Sequence, residues 1–281
     1  MKRTDLDAGP ISYREAGEGE PLVFVHGFLV DGRLWERSAT ALAGEFRCIS
    51  PDWPMGSHAT AMKADADLSP PGVARIISDF LDALGLENVT IVGNDSGGAI
   101  SQILATRHPE RIGRLVLTNC DTNEHFPPFP FNLMPPLARV PGGITAMTLP
   151  FRVGAIRRAT YAPFAKSKIP DELSASWLAP SASDEGIRRD LRKFTIGIHK
   201  RHTLEAAERL GDFDRPTLFA WAPEDRFFKL SHAERLAAAI PDARIETIAN
   251  AKTFVSLDQP ERLAAVISAF MRETTTREAL A

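Results

Sequence analysis

The chain has little of what marks secreted, membrane-spanning or metal-binding proteins. Only two of its 281 residues are cysteines, Cys48 and Cys120, too few for a disulfide framework and too far apart for a metal motif. No apolar run approaches the length of a membrane span, and the N-terminal MKRTDLDAGP lacks the apolar core of a signal peptide. We therefore expect a soluble, reduced, cytoplasmic protein with no membrane partner.

A strong charge of either sign is also lacking. The net charge is −3, and no basic cluster with interleaved aromatic residues occurs, so nucleic acid is not an expected partner. With 44% hydrophobic and 25% charged residues, the composition is that of a globular protein with a sizeable core. The expected partner is a small-molecule substrate, and the expected state is a monomer or a homodimer.

Strand-like and helix-like segments alternate in the first part of the chain. Short apolar or β-branched runs occupy Pro21–Val25, 46–50 and 88–92, and residues 69–86 carry an apolar stripe at helical spacing. A second helical segment follows at 98–107 and a further buried strand at 115–117. Such alternation predicts an α/β protein with a mostly parallel sheet flanked by helices.

The pattern is interrupted near residue 122. Residues 126–143 carry six prolines, which cannot continue a central strand or a helix interior, and helical segments follow to about residue 211. Strand-like runs return at Thr217–Trp221 and 244–248, with helical patterns after each of them. We expect an α/β core formed by residues 1–122 and 212–281, with a helical cap inserted at 123–211.

Residues 92–98, VGNDSGG, join a predicted strand to a predicted helix. A strand that runs into Gly-x-nucleophile-x-Gly and then a helix forms a nucleophile elbow, whose strained turn requires small flanking residues. Gly93 and Gly97 fit this frame around Asp95, whereas a frame centred on Ser96 would put the larger Asn94 at a flanking position. Asp95 is therefore the predicted nucleophile. A dinucleotide-binding loop is excluded because its glycine spacing is absent.

A second motif lies upstream, where His26-Gly27-Phe28 directly follows a predicted strand. A turn at this place supplies one half of an oxyanion hole, and the residue after the nucleophile supplies the other. We therefore expect the backbone N–H groups of Phe28 and Ser96 to converge on a developing negative charge.

Taken in order, the motifs resemble the α/β-hydrolase superfamily over nearly the whole chain. They are HGF at 26–28, DWPMG at 52–56, GNDSGG at 93–98, WAPED at 221–225 and FVSLDQPERL at 254–263. An aspartate at the elbow resembles the branch of haloalkane dehalogenases, haloacetate dehalogenases and epoxide hydrolases, which attack an sp³ carbon and form an alkyl ester. The resemblance implies an α/β-hydrolase fold, Asp225 as the acid of the triad, and no cofactor or metal.

The histidine of the triad is missing. Superfamily members commonly have Gly-His-Phe before the final helix, whereas this chain has Lys252-Thr253-Phe254, so Thr253 occupies the histidine position. A hydroxyl cannot take a proton from water near pH 7, and the usual hydrolysis of an alkyl ester therefore loses its base. Among the seven histidines, His125 is the best substitute because it follows the carboxyl end of a core strand. An ordinary loop histidine is the alternative interpretation.

The specificity residues of the three subfamilies are missing as well. The tryptophan that follows the nucleophile in dehalogenases is replaced by Ser96, and no arginine pair lies near Asp95. Tyr161 is the single tyrosine of the cap that could polarise an epoxide. Asp121 matches an alternative position of the triad acid in the dehalogenase branch, although Asp225 already fits that role.

The first residues of the cap are rich in aromatic side chains, including Phe126 and Phe129. With Asp121 and His125 they predict an apolar pocket for a small or medium hydrophobic substrate, although packing of the cap onto the core is an alternative explanation. Three functions stay open. One is a cofactor-free hydrolase with Asp95 as nucleophile; the others are a non-hydrolytic lyase, isomerase or cyclase and a ligand-binding pseudoenzyme.

Overall fold

The computed structural model describes the backbone of residues 1–280 and the side chains of residues 1–277. Its eight strands form one sheet: β1 (Lys2–Leu6), β2 (Gly9–Ala16), β3 (Pro21–Val25), β4 (Arg47–Pro51), β5 (Val89–Asp95), β6 (Ile112–Cys120), β7 (Thr217–Trp221) and β8 (Ala243–Thr247). The order across the sheet is β1-β2-β4-β3-β5-β6-β7-β8. β1 pairs antiparallel with β2, and β2 pairs antiparallel with β4. The six strands β3 to β8 are parallel to one another.

The α-helices follow the chain in this order: α1 (Glu36–Leu42), α2 (Pro70–Ala83), α3 (Ser96–Arg107), α4 (Met134–Arg139), α5 (Gly143–Thr148), α6 (Gly154–Tyr161), α7 (Asp171–Ser183), α8 (Glu185–Gly197), α9 (Arg201–Arg209), α10 (Leu230–Ala237), α11 (Val255–Asp258) and α12 (Pro260–Leu280). No helix within residues 1–280 combines the length and the apolar character that crossing a membrane requires.

The sheet separates two hydrophobic clusters. In β3, Val23 belongs to one cluster and Leu22 and Phe24 to the other, because successive side chains of a strand point to opposite faces. Apolar residues of α2 and α3 complete the first cluster, and those of α1 and α12 complete the second. Burial on both faces explains why the central strands are continuous apolar runs. The mostly parallel eight-stranded sheet with helices on both faces confirms the predicted α/β-hydrolase fold.

The hydrophobic pattern does not predict the β1–β2 hairpin. Most residues of β1 are exposed or half-buried, as befits an edge strand, so this strand carries no apolar run. The other strands lie within a few residues of their predicted positions, since burial dictates their composition directly.

Six helices, α4 to α9, lie between β6 and β7. The proline-rich stretch that opens this insertion is not free of helix, because α4 begins inside it with Pro135 and Pro136 in its first turn. The first N–H groups of a helix have no intrahelical partner, so proline is tolerated there. The insertion returns to the sheet at the carboxyl ends of the parallel strands: the N–H of Phe254, which follows β8, donates to the Phe164 carbonyl at 2.8 Å.

Candidate active site

Asp95 stands at the sharp turn between β5 and α3. Its φ of 54° and ψ of −132° lie outside the regions that side-chain-bearing residues favour, as expected of a strained strand-to-helix turn. Close packing explains the glycines around it. A Cβ on Gly97 would lie 2.3 Å from the backbone oxygens of Val25 and His26, and a Cβ on Gly27 would lie 2.1 Å from Asp95 Oδ2.

The Asp95 carboxyl group is held by backbone amides. The N–H of Phe28 donates to Oδ2 at 3.1 Å, and the N–H of Ser96 donates to the same carboxyl group. The structure thus brings Phe28 and Ser96 to Asp95 itself. Any ester oxygen that replaced a carboxylate oxygen of Asp95 would leave the remaining oxygen in reach of these donors, which suits an acyl intermediate.

Burial changes the acidity of Asp95. Removal from water raises its pKa to about 7, and the nearby charge of Asp225 acts in the same direction. The two backbone hydrogen bonds oppose the shift by stabilising the carboxylate. Asp95 is therefore divided between its neutral and ionised forms near neutral pH and becomes mostly carboxylate above pH 7.

Asp121 is a buried carboxyl group close to the half-buried Asp95. It follows the end of β6 and is 1% exposed, its carboxyl group accepts a hydrogen bond from the Ser96 hydroxyl, and its Oδ1 has no partner among the described residues. Burial, followed by the charge of Asp95, raises its pKa well above the ordinary value. The raised pKa favours the protonated form of Asp121, which has an O–H group to donate.

Asp225 and Thr253 form a pair at the end of β7. The Thr253 hydroxyl donates to Asp225 Oδ2 at 2.8 Å, while Oδ1 accepts from the N–H groups of Phe227 and Phe228 at 2.8 and 3.2 Å. Burial raises the pKa of Asp225, although these hydrogen bonds partly offset the rise. Asn94 Nδ2 donates to the Thr253 carbonyl at 2.7 Å, which ties the residue at the predicted histidine position to the residue before Asp95.

A cavity of about 90 Å³ opens over Asp95. Its acidic groups are Asp95 and Asp121, and none of its described lining residues is basic. Apolar side chains from both the core and the insertion form most of the remaining wall: Phe28, Leu29, Pro127, Pro128, Phe131, Met134, Phe151, Phe164, Ile198, Phe228 and Phe254. Tyr161 also lines the cavity, and its hydroxyl donates to the Leu29 carbonyl at 2.7 Å.

Three residues expected at the pocket lie elsewhere. His125 stacks on the His232 ring with centroids 4.0 Å apart, Phe126 is buried in the hydrophobic core, and Phe129 is 78% exposed. Of the four expected pocket residues only Asp121 lines the cavity, and Pro127, Pro128 and Phe131 take the places of the aromatic neighbours. An irregular proline-rich segment has no periodicity, so its sequence does not show which side chains point inward.

Among the described residues, no histidine lines the cavity over Asp95. His58 is buried on Asp190, 3.2 Å from its Oδ2, and His26 accepts the Trp53 N–H at 2.8 Å through Nε2. Among the described residues, no group of three or more His, Cys, Asp or Glu side chains is placed to hold a metal ion. Sequence reasoning places Asp121 at the pocket but misses the burial that raises its pKa, because burial depends on residues that are distant in the sequence.

The alpha/beta hydrolase fold family matches residues 20–260 of this chain. The chain belongs to this family, in agreement with the sheet order and the strand-to-helix turn at Asp95 described above.

Known relatives of similar length are hydrolases. The chain is 25% identical to the 2-hydroxy-6-oxo-6-phenylhexa-2,4-dienoate hydrolase of Comamonas testosteroni, over 97% of this chain and 95% of the relative. It is 27% identical to haloalkane dehalogenase 2 of Mycobacterium tuberculosis, over 94% and 92% of the two chains.

Solved structures show the same fold. An ancestral haloalkane dehalogenase superposes with a TM-score of 0.80 at 22% identity, covering 98% of this chain and 100% of the other. A meta-cleavage product hydrolase superposes with a TM-score of 0.77 at 22% identity, covering 97% and 98%.

Proposed function

We propose that the chain is a cofactor-free hydrolase that acts on a small or medium apolar substrate, with Asp95 as a covalent nucleophile. The observation that carries this proposal is the position of the Asp95 carboxyl group, held by the Phe28 N–H at 3.1 Å and facing a largely apolar cavity. A carboxylate is nucleophilic without a base, so the absence of a histidine does not prevent the first step.

In the first step, ionised Asp95 attacks an sp³ carbon and forms an alkyl ester, while the bond to the leaving atom breaks. The neutral carboxyl group of Asp121, in the same cavity, donates its proton to that atom. This proton neutralises the negative charge that develops on the leaving atom, in a cavity with no basic residue among its described lining. This step requires Asp95 ionised and Asp121 protonated. Asp95 is mostly ionised above pH 7, and the raised pKa of Asp121 favours its protonated form.

In the second step, Asp121 is a carboxylate and acts as the base that Thr253 cannot be. Asp121 takes a proton from water, whose oxygen adds to Cγ of Asp95, and the Phe28 and Ser96 N–H groups stabilise the oxyanion. The intermediate collapses to Asp95 carboxylic acid and an alkoxide. The alkoxide takes the Asp95 proton, so the product alcohol leaves with Asp95 ionised and Asp121 protonated, as at the start.

A leaving atom that needs a proton favours oxygen over halogen. Halide departs as a stable anion and is usually held by donors such as a tryptophan N–H, for which this chain has Ser96. An oxygen leaving group gains most from a neutral acid at Asp121. We therefore propose an epoxide-like electrophile on an apolar body as the substrate class, with the insertion at 123–211 acting as a cap over the cavity.

A second candidate is a non-hydrolytic reaction, such as that of a lyase, isomerase or cyclase. It is favoured by the pKa of Asp95 near 7, which suits a carboxyl group that takes up and returns protons. In that case Asp95 and Asp121 would act as base and acid on one bound molecule, and no ester would form.

The experiment is intact-protein mass spectrometry with terminal epoxides, haloalkanes and activated esters, in a single turnover in H₂¹⁸O. We expect the label to enter the Asp95 carboxyl group, and we expect Asp121→Asn to accumulate an alkyl adduct on Asp95 because ester hydrolysis lacks its base. Asp95→Asn should form no adduct. Asp214→Asn, which changes an exposed aspartate, is the matched control and should behave as the wild type. Turnover without label in Asp95 would favour the acid–base reaction, and ligand binding without turnover would favour a pseudoenzyme.

A further inference from the structure

The insertion carries an unusual charge distribution. Residues 125–170 contain no aspartate or glutamate, although the whole chain has a net charge of −3. The same stretch contains six cationic residues, which are Arg139, Arg152, Arg157, Arg158, Lys166 and Lys168. The remaining chain is therefore acidic. Two of the six cations pair with carboxylates from outside the stretch, Arg158 with Asp171 and Lys166 with Glu224, which leaves a smaller excess of positive charge on the stretch.

Exposed apolar side chains concentrate on the same stretch. Of the eight large hydrophobic residues that are exposed among the described side chains, seven lie between residues 129 and 156, and the eighth is Met1. They are Phe129, Leu133, Leu137, Val140, Leu149, Val153 and Ile156. Scattered exposed apolar residues are normal on a protein surface, whereas a concentration on one segment marks a contact with another molecule or a membrane. We call these seven side chains and the arginines among them the cap surface.

The elements that carry the cap surface are contiguous in space. The 3₁₀ turn at Phe131–Leu133 packs on α4, α4 on α5, and α5 and α6 on the 3₁₀ turn at Leu149–Arg152. The two arginines of the cap surface, Arg139 and Arg152, form no ion pair among the described residues. Arg139 and Arg152 are exposed, and each donates to a backbone carbonyl, of Ile196 and Ala182, rather than to a carboxylate among the described residues.

The inner side of these elements lines the candidate active site. Phe131, Met134 and Phe151 contact the cavity, while their neighbours Leu133, Leu149 and Val153 are exposed. The elements are short, and only a few residues separate the outer apolar surface from the cavity.

We propose that the cap surface docks on an anionic lipid bilayer. Its apolar side chains enter the boundary of the acyl chains. Arg139 and Arg152, which have no carboxylate partner among the described residues, contact the anionic headgroups. Proteins that lie on a membrane surface use this combination. A second copy of the chain is a poorer occupant, because a symmetric contact would bring the arginines of both copies together without carboxylates. The sequence-based expectation of no membrane partner rests on the absence of a membrane-spanning segment. Docking on the bilayer surface requires no such segment.

The docking goes beyond the proposed hydrolase and does not rest on that function. Binding is measured without catalysis, so the two proposals fail separately. Asp95→Asn should bind vesicles as the wild type does, whatever the reaction at Asp95 proves to be.

The test is vesicle co-flotation with phosphatidylcholine alone and with phosphatidylcholine containing phosphatidylserine, at low and high salt. We expect binding to the anionic vesicles that high salt weakens, since salt screens the arginine contribution. Arg139→Gln with Arg152→Gln should weaken it about tenfold or more. Arg3→Gln with Arg37→Gln removes two exposed cations outside the cap surface and should leave it unchanged.

A second variant addresses the apolar contribution. Leu133→Ser with Val153→Ser changes two exposed side chains outside the cavity lining, so the fold should persist, as unchanged thermal unfolding would show, while vesicle binding falls. The proposal is overturned if anionic vesicles are not bound, or if the Arg3 and Arg37 control weakens binding equally. Light scattering that shows a dimer which the Leu133 and Val153 changes dissociate would assign the surface to a second copy instead. Capture by an acidic protein with no lipid binding would also overturn it.

Discussion

At the scale of single residues, the candidate site is distinguished by three carboxyl groups with little contact with water. Asp121 and Asp225 are buried and Asp95 is half-buried, and removal from water is the largest cause of the raised pKa of each. No cation compensates them within the described cavity lining. Such an arrangement opposes folding once the groups ionise, which is a frequent property of functional sites.

The contribution of Asp95 to the stability of the protein should therefore fall as the pH rises. The folded state keeps the proton of Asp95 up to about pH 7, whereas an unfolded chain releases it near 3.8, so the contribution is intact below 3.8 and is lost as the pH rises through 7. We expect Asp95→Asn to unfold at higher urea concentration than the wild type above pH 7, by about 2 kcal/mol in the free energy of unfolding. The difference should shrink in acid.

Urea unfolding on both sides of pH 7 measures this difference, with Asp214→Asn as the exposed control. An Asp95→Asn variant that is equally or less stable than the wild type above pH 7 would show that the Phe28 and Ser96 N–H groups stabilise the carboxylate more than burial destabilises it.

At the scale of elements, the turn between β5 and α3 is set by close backbone approach. Gly97 touches the carbonyl oxygens of Val25 and His26, and because these belong to the backbone around the end of β3, they cannot move aside as a side chain would. The position of α3, and with it of Ser96 and Asp95, depends on this contact.

We expect Gly97→Ala to lower the free energy of unfolding by about 2 kcal/mol or more, because a Cβ 2.3 Å from two oxygens forces the helix away from the strand. Gly44→Ala is the matched control, since a Cβ there meets no atom within 4 Å, and should change stability by no more than about 0.5 kcal/mol. Thermal and urea unfolding compare the two. Similar values for both would contradict the assigned packing of α3 on β3.

At the scale of the whole molecule, the buried Asp190 of α8 joins the insertion to the core. Its Oδ2 accepts from the Met62 N–H at 2.7 Å and lies 3.2 Å from His58 Nε2, while Arg189 donates to Oδ1. Burial raises the pKa of Asp190, but these hydrogen bonds outweigh it and hold the pKa below its ordinary value. The junction is thus stabilised by an ionised carboxylate.

Asp190→Asn should lower the free energy of unfolding by about 1–3 kcal/mol at neutral pH, because His58 and Arg189 lose a charged partner in a buried place. The contribution of a carboxylate with a lowered pKa is present above the unfolded value of 3.8 and disappears as the pH falls through the folded value, so the loss should vanish in acid. Thermal unfolding over a pH series measures it. A loss that persists unchanged at low pH would mean that the junction depends on shape rather than charge.

Local sequence patterns predict the order of central strands and helices, the insertion after β6, and the frame of Gly93 and Gly97 around Asp95. Each of these follows from local composition: buried strands must be apolar, proline stops regular structure, and a tight turn needs glycine. The threonine at the expected histidine position is equally a local feature of the sequence.

Only the tertiary structure decided which groups meet at Asp95. Among the described residues, it left Oδ1 of Asp121 without a partner, placed the Thr253 hydroxyl on Asp225, and put His125 and Phe129 outside the cavity lining. Protonation and pocket lining depend on what surrounds a side chain in space, and those neighbours come from segments far apart in the sequence. A one-dimensional pattern therefore predicts the framework, whereas burial among distant residues sets the chemistry.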